Sequence, residues 1–240
     1  MKNLWLLTIL LLSACVNNAP NIIKGKGGVY GQLSADSHPQ FNRKLENNRT
    51  TDSMYGELNA SGVKYQDNMV NYLQLDELYV GLIQPKWVPQ HHQLIASTEG
   101  MLPRSIALAV GDTIELRNNT RQSLNFFVAE ASTTGRVQTF PGLAAGATAN
   151  LVVELEGDLE LLSEENDNLK VAIFSQKNML TRRVSSGDFY QFDNLDPGSY
   201  RLIFWFWRLG KIQQTIQIRA DENLRVDKTL TVDSVIKSFK

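Results

Sequence analysis

The stretch Gly157–Phe174, GDLELLSEENDNLKVAIF, carries the decision about the fold. Leu159-Glu160-Leu161 and Val171-Ala172-Ile173 lie in two apolar-alternating runs, and between them sits a polar, acidic knot from Ser163 to Asn168. A period of two belongs to strands, and a short polar connection between two such runs belongs to a strand-to-strand loop. Rigid sheets aim their loops, so a connection of this kind is a natural place for chemistry.

The same pattern repeats outward in both directions. SIALAV, TIELRN, LNFFVAEA, ATANLVVELE, KVAIFSQ, DFYQFDNL, SYRLIFWFW, IQQTIQIRA and KTLTVD all alternate or form short apolar runs, punctuated by Gly, Asn, Asp and Pro. No segment sustains apolar spacing at three and four residues over several turns, so no long helix is expected. Short strands at regular spacing predict an all-β sandwich protein. Upstream, GGVYGQLSA (27–35) reads as a strand, residues 36–68 as a long polar surface insertion, and VNYLQLDELYVGLIQPK as a strand ending at Pro85.

The chain has 240 residues, 42% hydrophobic and 20% charged, with a formal net charge of -1. That is enough chain for one large domain or two small ones. Near-neutral charge and the lack of a Lys/Arg-rich patch argue against nucleic acid as a partner. The three histidines, His38, His91 and His92, lie outside hydrolase motifs, and no Gly-x-Ser-x-Gly or phosphate-cradling glycine loop is present. The expectation is therefore a protein that is not an enzyme.

The first residues set a location. MKNLWLLTILLLSAC pairs Lys2 with an apolar core from Leu4 to Leu12, too short to span a bilayer and suited to a targeting segment. Leu12-Ser13-Ala14-Cys15 resembles a bacterial lipobox. The resemblance implies that residues 1–14 are a lipoprotein signal peptide, that Cys15 is the lipidation site, and that residues 15–26 form a lipidated tether. Several acyl chains hold a protein on a membrane far longer than one does. Val16 stands where an inner-membrane retention signal carries Asp, which favours the periplasmic face of the outer membrane. Cys15 is the one cysteine in the chain, so no disulfide forms within it.

The two ends of the chain belong together. GGVYGQLSA, LDELYVGLIQP, VSSGDFYQFDNLDPGSYRLIFW, TIQI and KTLTV resemble the carboxypeptidase regulatory-like sandwich, a transthyretin-like fold. The resemblance assigns residues 27–90 and 180–233 to that sandwich. Phe189 and Tyr200 are expected to plug its core, and Asp196-Pro197-Gly198 to make a tight turn.

The block between them, 94–179, resembles a cupredoxin of the methylamine-utilisation type. MLPRSIALAVGDTIELRNNT resembles the opening of such domains, and GDLELLSEENDNLKVAIFSQKN the final copper-loop hairpin. The implied architecture is a Greek-key sandwich inserted in, or packed on, the transthyretin-like one. Carried onto this sequence, the first imidazole position falls on Leu124, the thiolate on Ser163, the second imidazole on Asn166 and the axial thioether on Leu169. A blue-copper site needs two imidazoles and a thiolate with a weak axial thioether, and none of these four residues supplies such a donor. No cofactor is implied. Leu124 and Leu169 are expected to fill the space of the metal, and Ser163 and Asn166 to bond each other or the loop backbone.

Other residues offer weaker candidates. His91 and His92 could bind Cu(II) or Zn(II) weakly in a loop, but side chains adjacent on a strand point apart, and an exposed linker pair is the expected reading. A copper-binding or electron-transfer protein with a non-standard site is the alternative function. Glu154, Glu156, Asp158 and Glu160 read as the solvated face of a strand rather than a calcium site, which needs six or more converging oxygens. Glu164, Glu165 and Asp167 are the candidate partner surface. Trp205 and Trp207 are expected on one strand face and Phe206 on the other, with inter-domain packing over the aromatic face. The function expected is that of a binding or scaffold module, lipid-anchored and facing an envelope protein partner.

Overall fold

The computed structural model describes residues 19–35, 63–66, 69–72, 77–84, 86, 88–131 and 136–231. Among the described residues there are strands, turns and no helix. The protein is all-β, and its strands sort into two sandwiches and a separate hairpin.

The first sandwich is made from both ends of the described chain. In one sheet β1 (Gly27–Ala35) lies between antiparallel β15 (Phe189–Leu195) and two short parallel strands, β18 (Asn223–Arg225) and β19 (Lys228–Leu230). The facing sheet runs β14 (Met179–Val184), β4 (Leu78–Ile83), β16 (Gly198–Phe206), β17 (Gly210–Ile218), all antiparallel. Alternation along each strand sends one set of side chains between the sheets. Val29, Leu33, Val80, Phe192, Phe204 and Ile216 are among those that meet there.

The second sandwich lies wholly between β4 and β14. One sheet runs β10 (Arg136–Thr139), β9 (Phe126–Glu130), β12 (Gly157–Ser163), β13 (Lys170–Gln176), β7 (Ser105–Ala109); the other runs β11 (Thr148–Val152), β8 (Thr113–Asn118), β5 (His91–Ser97), β6 (Gly100–Leu102). The pairs β13/β7 and β5/β8 are parallel and the rest antiparallel. Its core is mostly aliphatic, with Leu94, Leu116, Val128, Leu161 and Ile173 fully or almost fully buried. β5 opens three residues before the expected start of this block at 94, and β14 already belongs to the first sandwich.

β4 and β14 are antiparallel neighbours whose register closes at Ile83↔Met179. Just beyond that pair, the Gln84 N–H donates to the Asn178 carbonyl at 3.0 Å. Asn178 has φ 57, a left-handed conformation that Asn tolerates better than most residues. The whole second sandwich is thus the connection of one β-hairpin.

The sandwiches meet sheet against sheet. Odd-numbered residues of β4 and β16 turn away from the first core, so Tyr79, Ile203 and Trp205 form a buried cluster with Ala107, Ala109 and Phe174 of the second sandwich. Trp205 lies against Tyr79 and stacks on Phe174, with centroids 5.7 and 5.8 Å apart. Gly81 belongs to the same face, where an added Cβ would run into the Met179 side chain. Polar groups close the rim. The Tyr79 hydroxyl donates to the Ser105 carbonyl at 2.6 Å, and Glu77 accepts from the Arg104 N–H and the Ser105 hydroxyl. Lys211 pairs with Asp158 at 2.9 Å and lies 4.7 Å over the Phe174 ring.

Several expectations need correction. Within 36–68, residues Val63–Gln66 form β2, which pairs with β3 (Met69–Tyr72); the rest of that segment lies outside the described residues. The single strand expected up to Pro85 is two, β3 and β4. The strand expected through Glu156 stops at Val152, where pairing with β8 ends. Phe189 is 41% exposed, and Tyr190 takes the core position beside Tyr200. Asn194, at φ 54, accompanies a register shift against β1, and such a shift reverses which side chains point inward. The Asp196-Pro197 turn between β15 and β16 is as expected, and the buried Tyr200 donates its hydroxyl to the Asp196 carbonyl.

Candidate functional site

The end of the second sandwich that holds the 157–174 loop gathers all four positions singled out in the sequence. Leu124 forms an isolated bridge with Leu143, each donating its N–H to the other's carbonyl. Leu169 follows the loop, and its N–H donates to the Asn166 carbonyl. Both leucines are fully or almost fully buried and belong to the same core cluster. Two of the four positions singled out in the sequence are thus buried side chains with no donor atom.

The two polar positions are held by their own loop. The Ser163 hydroxyl donates to Glu165 Oε2 at 2.9 Å and accepts from the Glu165 N–H. Asn166 Oδ1 accepts from the Asn168 N–H at 2.9 Å, the turn geometry such residues favour. Ser163 and Asn166 therefore bond the loop rather than each other.

Glu165 does more than the sequence suggested. Its carboxylate also accepts from the Asn125 N–H at 2.8 Å and the Asn125 Nδ2 at 2.6 Å, tying the loop to the start of β9. The Glu164 N–H adds a bond to the Asn125 carbonyl. Slight desolvation works to raise the Glu165 carboxyl, but the donors of Asn125, Ser163 and its own backbone prevail and hold it below the usual carboxylate range. Of the proposed partner surface, Glu164 and Asp167 face solvent, while the carboxylate of Glu165 serves the loop. The Ser-x-Glu spacing was the available signal; its partner Asn125, 40 positions away, was not.

His91 and His92 are not a linker but the first residues of β5, paired to Thr113 and Ile114 of β8. They point apart. His92 Nε2 lies 3.1 Å from Asp112 Oδ2, and Asp112 is fully buried, accepting also from the Gln90 and Ala109 N–H groups. Gln90 in turn accepts from the backbone and hydroxyl of Thr181 in β14. Asp112 therefore holds β5 to the turn after β7 and, through Gln90, to the first sandwich. Among the described residues no three His, Cys, Asp or Glu side chains gather as a metal site.

The acidic run does not form one face. Glu154 and Glu156 precede β12, and Glu156 bonds Gln176 and lies 3.9 Å from Lys177. Asp158 is taken by Lys211, and Glu160 sits half-buried on β12. Trp205 and Phe206 are buried on opposite sides of β16, as expected, but Trp207 is not with Trp205. It opens the Trp207–Leu209 turn into β17 and is 38% exposed. Cys15, the lipidation candidate, and residues 1–18 lie outside the described residues, and among those described no helix is long and apolar enough to cross a membrane.

No family model matches the chain, and no curated protein matches it. Solved structures align with about a third of it. A purple cupredoxin from Nitrosopumilus maritimus is 17% identical over 35% of this chain and 99% of its own, with a TM-score of 0.31. A copper-containing nitrite reductase from Thermus scotoductus is 14% identical over 38% of this chain and 23% of its own, TM-score 0.31. A fern plastocyanin mutant is 14% identical over 35% of this chain and 99% of its own, TM-score 0.29.

Proposed function

We propose that this protein is a lipid-anchored, non-catalytic binding or scaffold module of the bacterial envelope. In this reading its inserted sandwich is cupredoxin-like with the copper ligands replaced, and its outer sandwich is transthyretin-like. The observation that carries it is the Leu124–Leu169 end, where buried aliphatic side chains stand at ligand positions and the loop spends its polar groups on itself. A site of this composition does not fit copper, because the soft anionic donor and both imidazoles are missing.

On this reading the partner surface is the exposed rim of the loop. Glu164 and Asp167 present acidic groups there to a protein partner in the envelope. Cys15 would carry the lipid and set the protein on the periplasmic face of the outer membrane, by the lipobox reading.

Copper titration tests the central claim. The natural chain is expected to give no intense visible thiolate-to-copper band. The quadruple variant Leu124→His, Ser163→Cys, Asn166→His, Leu169→Met is expected to gain one, because the fold would then supply the full donor set. A blue band from the natural chain would end the proposal. Cys15→Ser should move the protein from the membrane to the soluble fraction, and continued retention would remove the anchor from it.

A further inference from the structure

The seam between the sandwiches holds a groove of about 460 Å³ that meets the 163–168 loop only at Asn168, within the roughly 300–1,000 Å³ range of small-ligand sites. Trp207 is its one contribution from the first sandwich; the turn from Thr98 to Met101, Glu160, Asn168 and Lys170 come from the second. Docking of the sandwiches thus sets an aromatic wall on a groove otherwise lined by the second sandwich. Its floor is small because Ala172 sits opposite Glu160 on one side and Ser105 on the other.

We infer that this groove binds a neutral saccharide, with Trp207 as its stacking platform. A tryptophan left 38% exposed beside two buried aromatics on the same strand end is the starting observation. Its ring is held in place: the Phe206 ring meets it edge-on at 6.3 Å, and the Arg208 guanidinium lies 4.6 Å over it. Arg208 does not line the groove; in this inference its guanidinium backs the indole and the opposite face meets the ligand. A π face is electron-rich, and the C–H face of a pyranose ring, with its partial positive hydrogens, complements it.

The polar lining narrows the ligand class. Glu99 and Glu160 accept, Arg104 and Lys170 donate, and the Asn168 amide does both. None of those four charged side chains forms an ion pair with another described residue, so their hydrogen-bonding capacity faces solvent or a ligand. Two carboxylates and two cations give no net field for a phosphate or a polycation to follow. A hydroxyl-rich ligand, each group both donor and acceptor, uses such a mixed set fully.

This inference stands apart from the scaffold reading and fails separately. The experiment is calorimetric titration of the full chain, in a detergent without a sugar headgroup, with the tetraoses of glucose, N-acetylglucosamine and galacturonate. Saturable binding of a neutral tetraose is expected, weakened about tenfold or more by Trp207→Ala, a change worth ~1.4 kcal/mol. Trp207→Phe should keep most of the affinity. Glu160→Gln and Ala172→Gln, which alter the wall and the floor, should each weaken binding several-fold and carry the test if the alanine variant does not fold. Failure of both neutral sugars to bind overturns the inference, as does binding of galacturonate alone. Unchanged affinity in Trp207→Ala overturns it too.

Discussion

At the 124–169 end of the second sandwich, buried leucines and self-bonded loop groups leave little for a ligand to touch. At the seam, rings are packed in the middle, and along the groove at its edge stand charges of both signs that form no ion pair among the described residues. The first region looks like a site by position in the chain, and the second by the chemistry it exposes. The difference teaches that a loop's place between strands is a weaker guide than the state of its donors. A carboxylate already accepting several hydrogen bonds has little left to give.

The comparison can be broken or sharpened by substitution. Trp205→Ala should be the most damaging, at about 3–5 kcal/mol, and should split chemical unfolding into two transitions as the sandwiches uncouple. A single cooperative transition would show that the seam's rings do not couple them. Leu169→Ala should cost about 2–5 kcal/mol without a second transition, since it empties one core only; urea midpoints measure both. Glu165→Gln should matter less, under about 1 kcal/mol for so exposed a carboxylate.

Its sign with pH is definite. The folded-state carboxyl of Glu165 is depressed, so its stabilisation is complete above the unfolded pKa, about 4.3, and is lost as pH falls through the folded value. The stability gap between the natural chain and Glu165→Gln should therefore be largest near neutrality and close in acid, which urea midpoints from pH 7 down to 2.5 would follow. A gap independent of pH would separate Glu165 from the loop's cohesion. Phe189→Ser should change stability by no more than about 0.5 kcal/mol, as expected of a surface position, and a loss of core-like size would put Phe189 back inside.

The strand pattern was legible because period two survives in short segments, and the leucines at 124 and 169 were readable as apolar wherever they fell. What failed was phase. From Phe189 the apolar positions fit two alternations, and only the irregularity at Asn194, set by pairing with β1, decides for Tyr190. Alternation alone puts Trp207 on a strand face, but a three-residue turn ends alternation at Phe206, with Gly210 at φ 84 taking the left-handed position that closes such turns. His91 and His92 joined a sheet through parallel pairing to β8, a partner 22 residues on, and nothing local marks such pairing. The hydrogen bonds of Glu165 and Asp112 likewise depend on residues brought near only by the fold.

The hairpin of β4 and β14 carries a consequence of a different kind. Its connection is about 95 residues long, yet the Gln84–Asn178 bond shows that the folded insert returns the chain to its point of departure. A folded insert is thus a rigid clip, while an unfolded one is a slack loop. Closing a slack loop of that length rather than a two-residue turn costs roughly 3 kcal/mol of chain entropy. The outer sandwich therefore draws part of its stability through covalent connectivity alone, and melting the insert would loosen β14 even where no side chain of the seam had moved.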